Sequence, residues 1–254
     1  MSWDPNIYLK FGGERTRAAA DLVARIPLDA PARIVDLGCG PGNSTAMLRA
    51  RYPNGDILGV DSSEEMIAKA RVSDVNARFE IAGFESWSPA QAPDLIYANA
   101  AFHWAADPLS LVQRLFAALA PRGALAFQVP QNFDRPSHLE MNAVAADGPW
   151  AEKLKGAQRG VHIHGADCAR ALAGRAAGLD IWSTEYLHIL QGEDAVFNWI
   201  SGSAIRPLMD ALQGAERDGF AAAVKARLRR AYPAEADGRT FFPFRRLFVI
   251  ALKP

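Results

Sequence analysis

The sequence predicts an α/β fold in which a mostly parallel sheet carries helices on both faces. Residues 33–130 alternate short apolar runs with helical patterns, and the turns that join them are short. A glycine-rich turn at 38–42 follows the first apolar run and precedes a helical pattern, as in nucleotide-binding α/β proteins. Parallel strands require crossover connections, and the intervening helices supply them.

The elements of this region follow one another along the chain. Strands are expected at Arg33–Leu37, Asp56–Asp61, Arg78–Ala82, Asp94–Ala98 and Ala124–Val129. Helices are expected at Asn43–Arg51, at Glu64–Arg71, and from Pro108 to about Leu119. Ser62 or Ser63 can cap the second helix, and Asp107 with Pro108 forms a cap and first-turn pair for the third.

The second half of the chain is less regular. Two late strands are expected at Asp180–Leu190 and Arg246–Leu252, separated by a helical pattern from Glu193 to Pro243. That pattern is too long for a connecting loop and too short for a full domain. We therefore expect a single domain, 1–254. Its core is 30–130 with strands near 180–190 and 246–252, and its substrate cap is formed by an N-terminal segment, 1–29, and insertions at 131–175 and 193–243.

Charge and composition exclude several classes of protein. The chain has 254 residues with 28 basic and 28 acidic side chains, so its formal net charge is zero, which disfavours a non-specific nucleic-acid partner. No apolar run approaches the roughly 20 residues that span a membrane, and the first residues lack a signal-peptide layout. Two cysteines, Cys39 and Cys168, are too few for a disulfide framework, so a cytoplasmic setting is expected. No metal is expected, because His162 and His164 have no cysteine or spaced acidic ligand beside them.

The segment 35–45, VDLGCGPGNST, is the most informative part of the sequence. A dinucleotide-binding turn requires a glycine where Asn43 or Thr45 stands in the two available frames. Asp36, two residues before the first glycine, repels a pyrophosphate but suits a ligand that carries an ammonium. S-adenosylmethionine has an ammonium, a sulfonium and no phosphate. Asp61, at the end of the second strand, can accept both ribose hydroxyl hydrogens.

These residues resemble a known family. DLGCGPGNS and the following GVDSS are similar to the corresponding motifs of class I S-adenosylmethionine-dependent methyltransferases. IYLKFGGERTR, DLIYANAAFHW, AIRP and FRRLFVIA extend the resemblance, over nearly the whole chain, to the trans-aconitate 2-methyltransferase family. The resemblance implies a Rossmann-like fold whose seven-stranded sheet has the order 3-2-1-4-5-7-6 with an antiparallel last strand. It also implies transfer of a methyl group to a carboxylate of trans-aconitate, with S-adenosylhomocysteine as the other product.

Strand ends and the family motifs together predict the residues that bind the cofactor. These are Asp36, Gly38, Cys39, Gly40, Asn43, Asp61, Ser62, Met66, Gly83, Phe84, Asn99 and Ala100. Where family members typically carry an aspartate that bonds the adenine amino group, this chain has Gly83, so backbone groups of Gly83 and Phe84 are expected to contact adenine.

An acidic small-molecule substrate requires cationic side chains, and arginine binds carboxylates in a bidentate way. The predicted substrate-binding residues are Tyr8, Arg15, His103, Trp104, Trp199, Arg206 and Arg246. A carboxylate is already ionised near neutral pH and needs no catalytic base, whereas His103 is the candidate base for an alcohol or amine acceptor.

Several alternatives stay open at this stage. The chain departs from the family at Gly12 and Gly13 in the N-terminal segment, at His103 where glutamine is usual, and at Arg245 where proline is usual. Another small carboxylic acid, or an oxygen or nitrogen acceptor, therefore remains an alternative substrate. An NAD(P)-dependent oxidoreductase and a cofactor-binding protein without catalysis are the alternatives from other classes. Residues 198–254 hold 10 basic and 5 acidic side chains, which places the positive charge in the proposed cap and last strand.

Overall fold

The computed structural model describes residues 12–157 and 159–254. The strands are β1 (Arg33–Leu37), β2 (Asp56–Asp61), β3 (Arg78–Ile81), β4 (Leu95–Asn99), β5 (Ala124–Pro130), β6 (Gly178–Gln191) and β7 (Arg239–Leu252). The helices are α1 (Gly12–Arg25), α2 (Asn43–Arg51), α3 (Glu64–Arg71), α4 (Pro108–Ala118), α5 (Pro136–Ala146), α6 (Ala151–Leu154), α7 (Gly165–Leu172), α8 (Ala195–Ser201), α9 (Arg206–Asp210) and α10 (Gly214–Ala231). A short 3₁₀ helix covers Phe102–Trp104.

One seven-stranded sheet has the order β3-β2-β1-β4-β5-β7-β6, which confirms the predicted topology. The pairs β1–β2, β1–β4, β2–β3 and β4–β5 are parallel, and β5 pairs with β7 in the antiparallel sense, as predicted. Because β1, β2, β4 and β5 are parallel, their carboxyl ends meet at one edge of the sheet, where α/β proteins bind their ligands.

The chain divides into two compact units. The first, which we call the core unit, comprises Gly13–Pro130, Val161–Thr184 and Arg246–Pro254. The second unit contains Gln131–Gly160 and Glu185–Arg245. The segment 131–175, predicted as one insertion, is thus divided between the two units, because its part from Val161 onward, including helix α7, belongs to the core unit.

The core unit is built around an apolar cluster that includes Leu37, Phe102, Phe127 and Val249. Helix α7 joins this cluster through Cys168 and Leu172, and Gln113 of α4 donates to the carbonyl of Ala171 at 3.0 Å. Removal of this apolar surface from water stabilises the unit and holds the strand ends at fixed positions.

The second unit has an apolar cluster of its own, in which Trp199, Phe220 and Phe242 are fully buried. The helical prediction for 193–243 is confirmed by α8, α9 and α10 but is wrong at its end, since 239–243 belong to β7. Thr240, Phe242 and Phe244 are buried while Phe241 is exposed, so the burial alternates with the period of a strand.

Most other predicted boundaries agree with the structure within one or two residues. Ser63, rather than Ser62, caps α3 by accepting a hydrogen bond from the Met66 amide, and Asp107 caps α4 as predicted. Among the described residues, no helix has both the length and the apolar character needed to cross a membrane.

Candidate active site

The glycine-rich loop between β1 and α2 is tied to the end of β2. Gly38 has a φ of +81°, and a Cβ atom there would lie 2.4 Å from the Cβ of Ala101, so no larger residue fits. Gly40 has a φ of +55°, but a Cβ atom there would meet none of the described residues within 4 Å. The loop is therefore packed against the segment after β4 at Gly38, whereas at Gly40 no described residue lies beside it.

The amide groups of this loop are used within the protein. Gly38 and Cys39 both donate to the Val60 carbonyl, at 2.7 and 3.0 Å, and Gly40 donates to the Asp61 carboxylate at 2.9 Å. Gly42 donates to the Cys39 carbonyl at 3.1 Å, and Pro41 has no amide hydrogen. A pyrophosphate site requires free amides that point at the anion. The loop therefore disfavours the dinucleotide alternative on geometric grounds.

Asp36 is a buried carboxylate, and only one of its two oxygens has hydrogen-bond partners among the described residues. Its Oδ2 atom accepts hydrogen bonds from the hydroxyls of Ser44 and Thr45, both at 2.7 Å. Its Oδ1 atom is buried and has no hydrogen-bond partner among the described residues. Burial raises the pKa of Asp36 to about 6; the two hydroxyls lower it, and the charge of Asp61 raises it. A buried acceptor of this kind suits a cationic donor such as an ammonium.

Asp61 ends β2 with both carboxylate oxygens in use. Oδ2 accepts from the Gly40 amide and Oδ1 from the Ser63 amide, each at 2.9 Å. Each oxygen has a second lone pair, so the carboxylate can also accept two ribose hydroxyls. The two amides fix the carboxylate beside the open side of the loop.

Polar residues on neighbouring strands share one face of the sheet. Asp36 pairs with Tyr97, and Asn99 pairs with Gln128. Side chains of paired residues lie on one face, and residues two apart in a strand share that face. Asp36, Asn99 and Gln128 therefore lie on the same face of the sheet.

A buried cation follows these residues on the next strand. Gln128 pairs with Phe248 of β7, so Arg246, two residues away, shares the face. Arg246 is 6% exposed, and its Nη1 donates to the Oε1 of Gln128 at 3.4 Å. The same face thus carries carboxylates on β1 and β2 and a guanidinium on β7.

The segment after β4 is held close to the glycine loop. Ala100 has a φ of +53°, which is uncommon for a residue with a side chain, and its amide donates to the Gln128 carbonyl at 2.9 Å. His103 is buried, and its carbonyl accepts from the Val161 amide at 2.7 Å. Its ring lies against that of Trp104, with the centroids 4.8 Å apart.

The other predicted cofactor residues surround the ends of β1, β2 and β3. Cys39 is buried, and burial followed by the charges of Asp36 and Asp61 raises the pKa of its thiol, which keeps it protonated. Met66 is buried on α3, whereas Ser62 is exposed and Asn43, Gly83 and Phe84 are partly exposed. The loop after β3 is held by Arg114, which donates to the carbonyls of Phe84, Glu85 and Trp87.

The other predicted substrate residues either fall outside the described residues or belong to the second unit. Tyr8 and the side chain of Arg15 fall outside the described residues. Trp199 is in the apolar cluster of the second unit, with its ring stacked on His188 at 4.3 Å. Arg206, in the same unit, forms an ion pair with Asp210 at 3.4 Å.

Sequence reasoning missed three polar residues of the core unit. Ser44 and Thr45 lie in the first turn of α2, where hydroxyls are common, so nothing marked them as partners of Asp36. Gln128 did carry a signal, because it is the only strongly polar residue in the apolar strand ALAFQVP. A lone amide in a buried strand requires a specific hydrogen-bond partner.

Comparisons with known proteins show which family the chain belongs to. The model of a methyltransferase-domain family matches residues 11–147. A trans-aconitate 2-methyltransferase of Variovorax paradoxus is 43% identical over 256 residues, which cover 100% of this chain and 99% of the relative. One from Methylobacterium nodulans is 46% identical over 251 residues, covering 98% and 97%. The solved structure of the YcgJ protein of Bacillus subtilis has a TM-score of 0.61 at 16% identity, covering 93% of this chain and 98% of the other.

The fold and the site define a class I methyltransferase that uses S-adenosylmethionine and releases S-adenosylhomocysteine. The chain belongs to the methyltransferase-domain family and, within it, to the trans-aconitate 2-methyltransferase family. The residues present fit the cofactor, because one oxygen of the buried Asp36 carboxylate has no hydrogen-bond partner in the described part of the chain, and no described atom would contact a Cβ on Gly40, whose amide bonds Asp61.

Proposed function

We propose that this protein methylates a carboxylate of trans-aconitate. The observation that carries the proposal is the buried guanidinium of Arg246, which shares a sheet face with the carboxylate of Asp36. A cationic cofactor and an anionic acceptor require opposite charges at the two ends of one site. The full-length relatives in Variovorax paradoxus and Methylobacterium nodulans, which are trans-aconitate 2-methyltransferases, support the choice of acceptor.

In this proposal, the core unit holds the cofactor at three places. Asp36 accepts from the ammonium, and Asp61 accepts from the ribose hydroxyls. Gly83 and Phe84 contact the adenine through backbone groups and the phenyl ring. Gly40 leaves room for the cofactor next to Asp61, since a Cβ on Gly40 would contact no residue that the structure describes.

In this proposal, the reaction depends on the position of the acceptor carboxylate and needs no proton transfer. When bound, the cofactor would supply an electrophilic methyl carbon on its sulfonium. An ionised carboxylate oxygen needs no base to bond to that carbon, and the carbon–sulfur bond would break to leave S-adenosylhomocysteine. Arg246 binds the acceptor carboxylates and fixes their direction, because its planar fork pairs with two oxygens. His103 and Trp104 form the wall after β4. Trp199 and Arg206 of the second unit stay predictions as acceptor contacts.

The test is an acceptor screen with the purified protein and S-adenosylmethionine. We expect trans-aconitate to yield S-adenosylhomocysteine and a monomethyl ester of matching mass. Turnover of an alcohol or amine but of no carboxylate would reject the proposal.

A pair of adjacent variants tests the role of Arg246. Arg246→Lys keeps the charge but loses the planar fork, so kcat/KM for trans-aconitate is expected to fall by about 10- to 100-fold. The affinity for S-adenosylhomocysteine is expected to stay within about twofold, since a donor to Gln128 remains. Arg245→Lys is the matched control. Arg245 forms a partly exposed ion pair with Asp134 at 2.9 Å, and its replacement is expected to leave kcat/KM within about twofold.

A further inference from the structure

Three polar side chains form a hydrogen-bonded line across β4, β5 and β7; those on β5 and β7 are buried, and Asn99 on β4 is partly exposed. The Nε2 of Gln128 donates to the Oδ1 of Asn99 at 2.6 Å, and the Nη1 of Arg246 donates to the Oε1 of Gln128 at 3.4 Å. Gln128 is fully buried, and Arg246 nearly so. Water therefore has little access to this amide, and its orientation is decided by the groups on either side.

The chemistry of arginine fixes which group donates in each hydrogen bond of this line. A guanidinium has only donors, so the group of Gln128 that faces Arg246 must be the carbonyl oxygen. The amide nitrogen of Gln128 then faces Asn99, which must present its own carbonyl oxygen in return. It follows that the Nδ2 group of Asn99 lies at the far end of the line, with its two hydrogens available for donation.

Asn99 lies opposite the glycine-rich loop, where a hydrogen-bond donor could contact the cofactor. Continuation of the β1–β4 register, in which Asp36 pairs with Tyr97, places Asn99 opposite Gly38. Packing also brings the two loops together, because a Cβ atom on Gly38 would overlap with Ala101. The cofactor has one carboxylate, on its methionine part, and this anion requires donors that neither Asp36 nor Asp61 can supply.

We propose that Gln128 is a positioning residue, which holds the Asn99 amide with its nitrogen toward the cofactor carboxylate. Arg246 fixes the orientation of Gln128, and Gln128 fixes that of Asn99. The proposal rests on the cofactor-binding part of the proposed function, since it takes Asn99 as a cofactor contact. It does not depend on the identity of the acceptor.

The test compares two ligands on the variant Gln128→Glu. Glutamate still accepts from Arg246 but has no amide hydrogen, so Asn99 must turn its nitrogen toward position 128. Its oxygen then faces the cofactor carboxylate. We expect the Kd for S-adenosylhomocysteine to rise by about 10-fold or more in calorimetry. The Kd for the decarboxylated analogue, which lacks the carboxylate, is expected to change by less than about twofold.

Two further variants separate orientation from charge and from folding. Gln128→Met has similar length and no charge, and it leaves Asn99 free to turn. We expect it to weaken S-adenosylhomocysteine by about 3-fold and the decarboxylated analogue by less. Gln113→Glu is the matched control, because Gln113 bonds a backbone carbonyl of α7 away from the site. It is expected to leave both constants unchanged.

The outcomes distinguish positioning from packing. Equal weakening of both ligands by Gln128→Glu and Gln128→Met would identify Gln128 as a packing residue and overturn the proposal. No weakening of either ligand would overturn it as well. Should Gln128→Glu fail to fold, the comparison is made on Gln128→Met alone. Binding needs no acceptor, so failure to methylate trans-aconitate would leave this result intact.

Discussion

The hydroxyls of Ser44 and Thr45 are predicted to set the pH at which the protein binds its cofactor. Both donate to Asp36 Oδ2 at 2.7 Å, in a place with no access to water. Burial raises the pKa of Asp36 to about 6, and each hydroxyl opposes that rise by stabilising the ionised form. The single variants Ser44→Ala and Thr45→Val each remove one of these two donors, and Thr45→Val keeps the side-chain volume at position 45.

The magnitude follows from the ionised fraction of Asp36. We assume that only the ionised form of Asp36 accepts the ammonium of the cofactor. With a pKa of about 6, the affinity for the cofactor then falls about tenfold as the pH is lowered from 7 to 5. A hydrogen bond donated to a charged group contributes about 1.5 kcal/mol or more. Loss of one such donor therefore raises the pKa of Asp36 by about 1. At pH 6, the ionised fraction then falls from about one half to about one tenth, and binding weakens about fivefold. Above pH 8, the variant and the parent protein are expected to bind equally.

The assay is calorimetric titration of S-adenosylhomocysteine from pH 5 to pH 8.5. Ser110→Ala is the matched control, since it removes a hydroxyl that donates to Asp107 at 2.6 Å in an exposed helix cap. It is expected to leave the pH profile unchanged. A loss of affinity of the same size at every pH would refute the reasoning, because it would reflect altered packing and not the titration of Asp36.

Three further predictions concern stability and the chemical step. Asp36 has a raised pKa, so its ionisation opposes folding increasingly as the pH rises from 3.8 to about 6. Asp36→Asn is therefore expected to raise the free energy of unfolding at pH 7 by up to about 3 kcal/mol in urea titrations while it weakens cofactor binding; lower stability would contradict this. Gly38→Ala is expected to cost about 3 kcal/mol or more, because of the overlap with Ala101, and Gly40→Ala about 1–2 kcal/mol; equal losses in the same titrations would contradict the geometry. His103→Gln is expected to keep kcat for trans-aconitate within about tenfold, since a carboxylate needs no base; a loss of several orders of magnitude would indicate a base-dependent acceptor.

The first half of the fold was accessible from the sequence because its signals are local. The strand before Gly38, the cap before α3 and the Asp107–Pro108 pair each depend on residues within a few positions of one another. The end of the predicted cap was not accessible in this way. Residues 239–243 lie in a strand because Phe242 and Phe244 pack in the apolar cluster of the second unit, which the local pattern does not show.

The C-terminal excess of arginine is mostly taken up by ion pairs. Arg227, Arg229 and Arg239 pair with Glu140, Asp194 and Asp237 at the surface. Net charge along the chain cannot distinguish such pairs from a binding site, because pairing depends on distances in space. Of the three candidate arginines, Arg246 alone has a described side chain in the core unit.

The sequence by itself determined the class of the protein, since Asp36, the glycine turn and Asp61 follow from short spacings at strand ends. Only the tertiary structure decided how these groups are held. The hydroxyls of Ser44 and Thr45 reach Asp36 because α2 folds back over β1, and Gln128 meets Asn99 and Arg246 because β5 lies between β4 and β7. Strand order and burial set these contacts, so hydrogen-bonded neighbours in this line lie up to 118 positions apart in the chain.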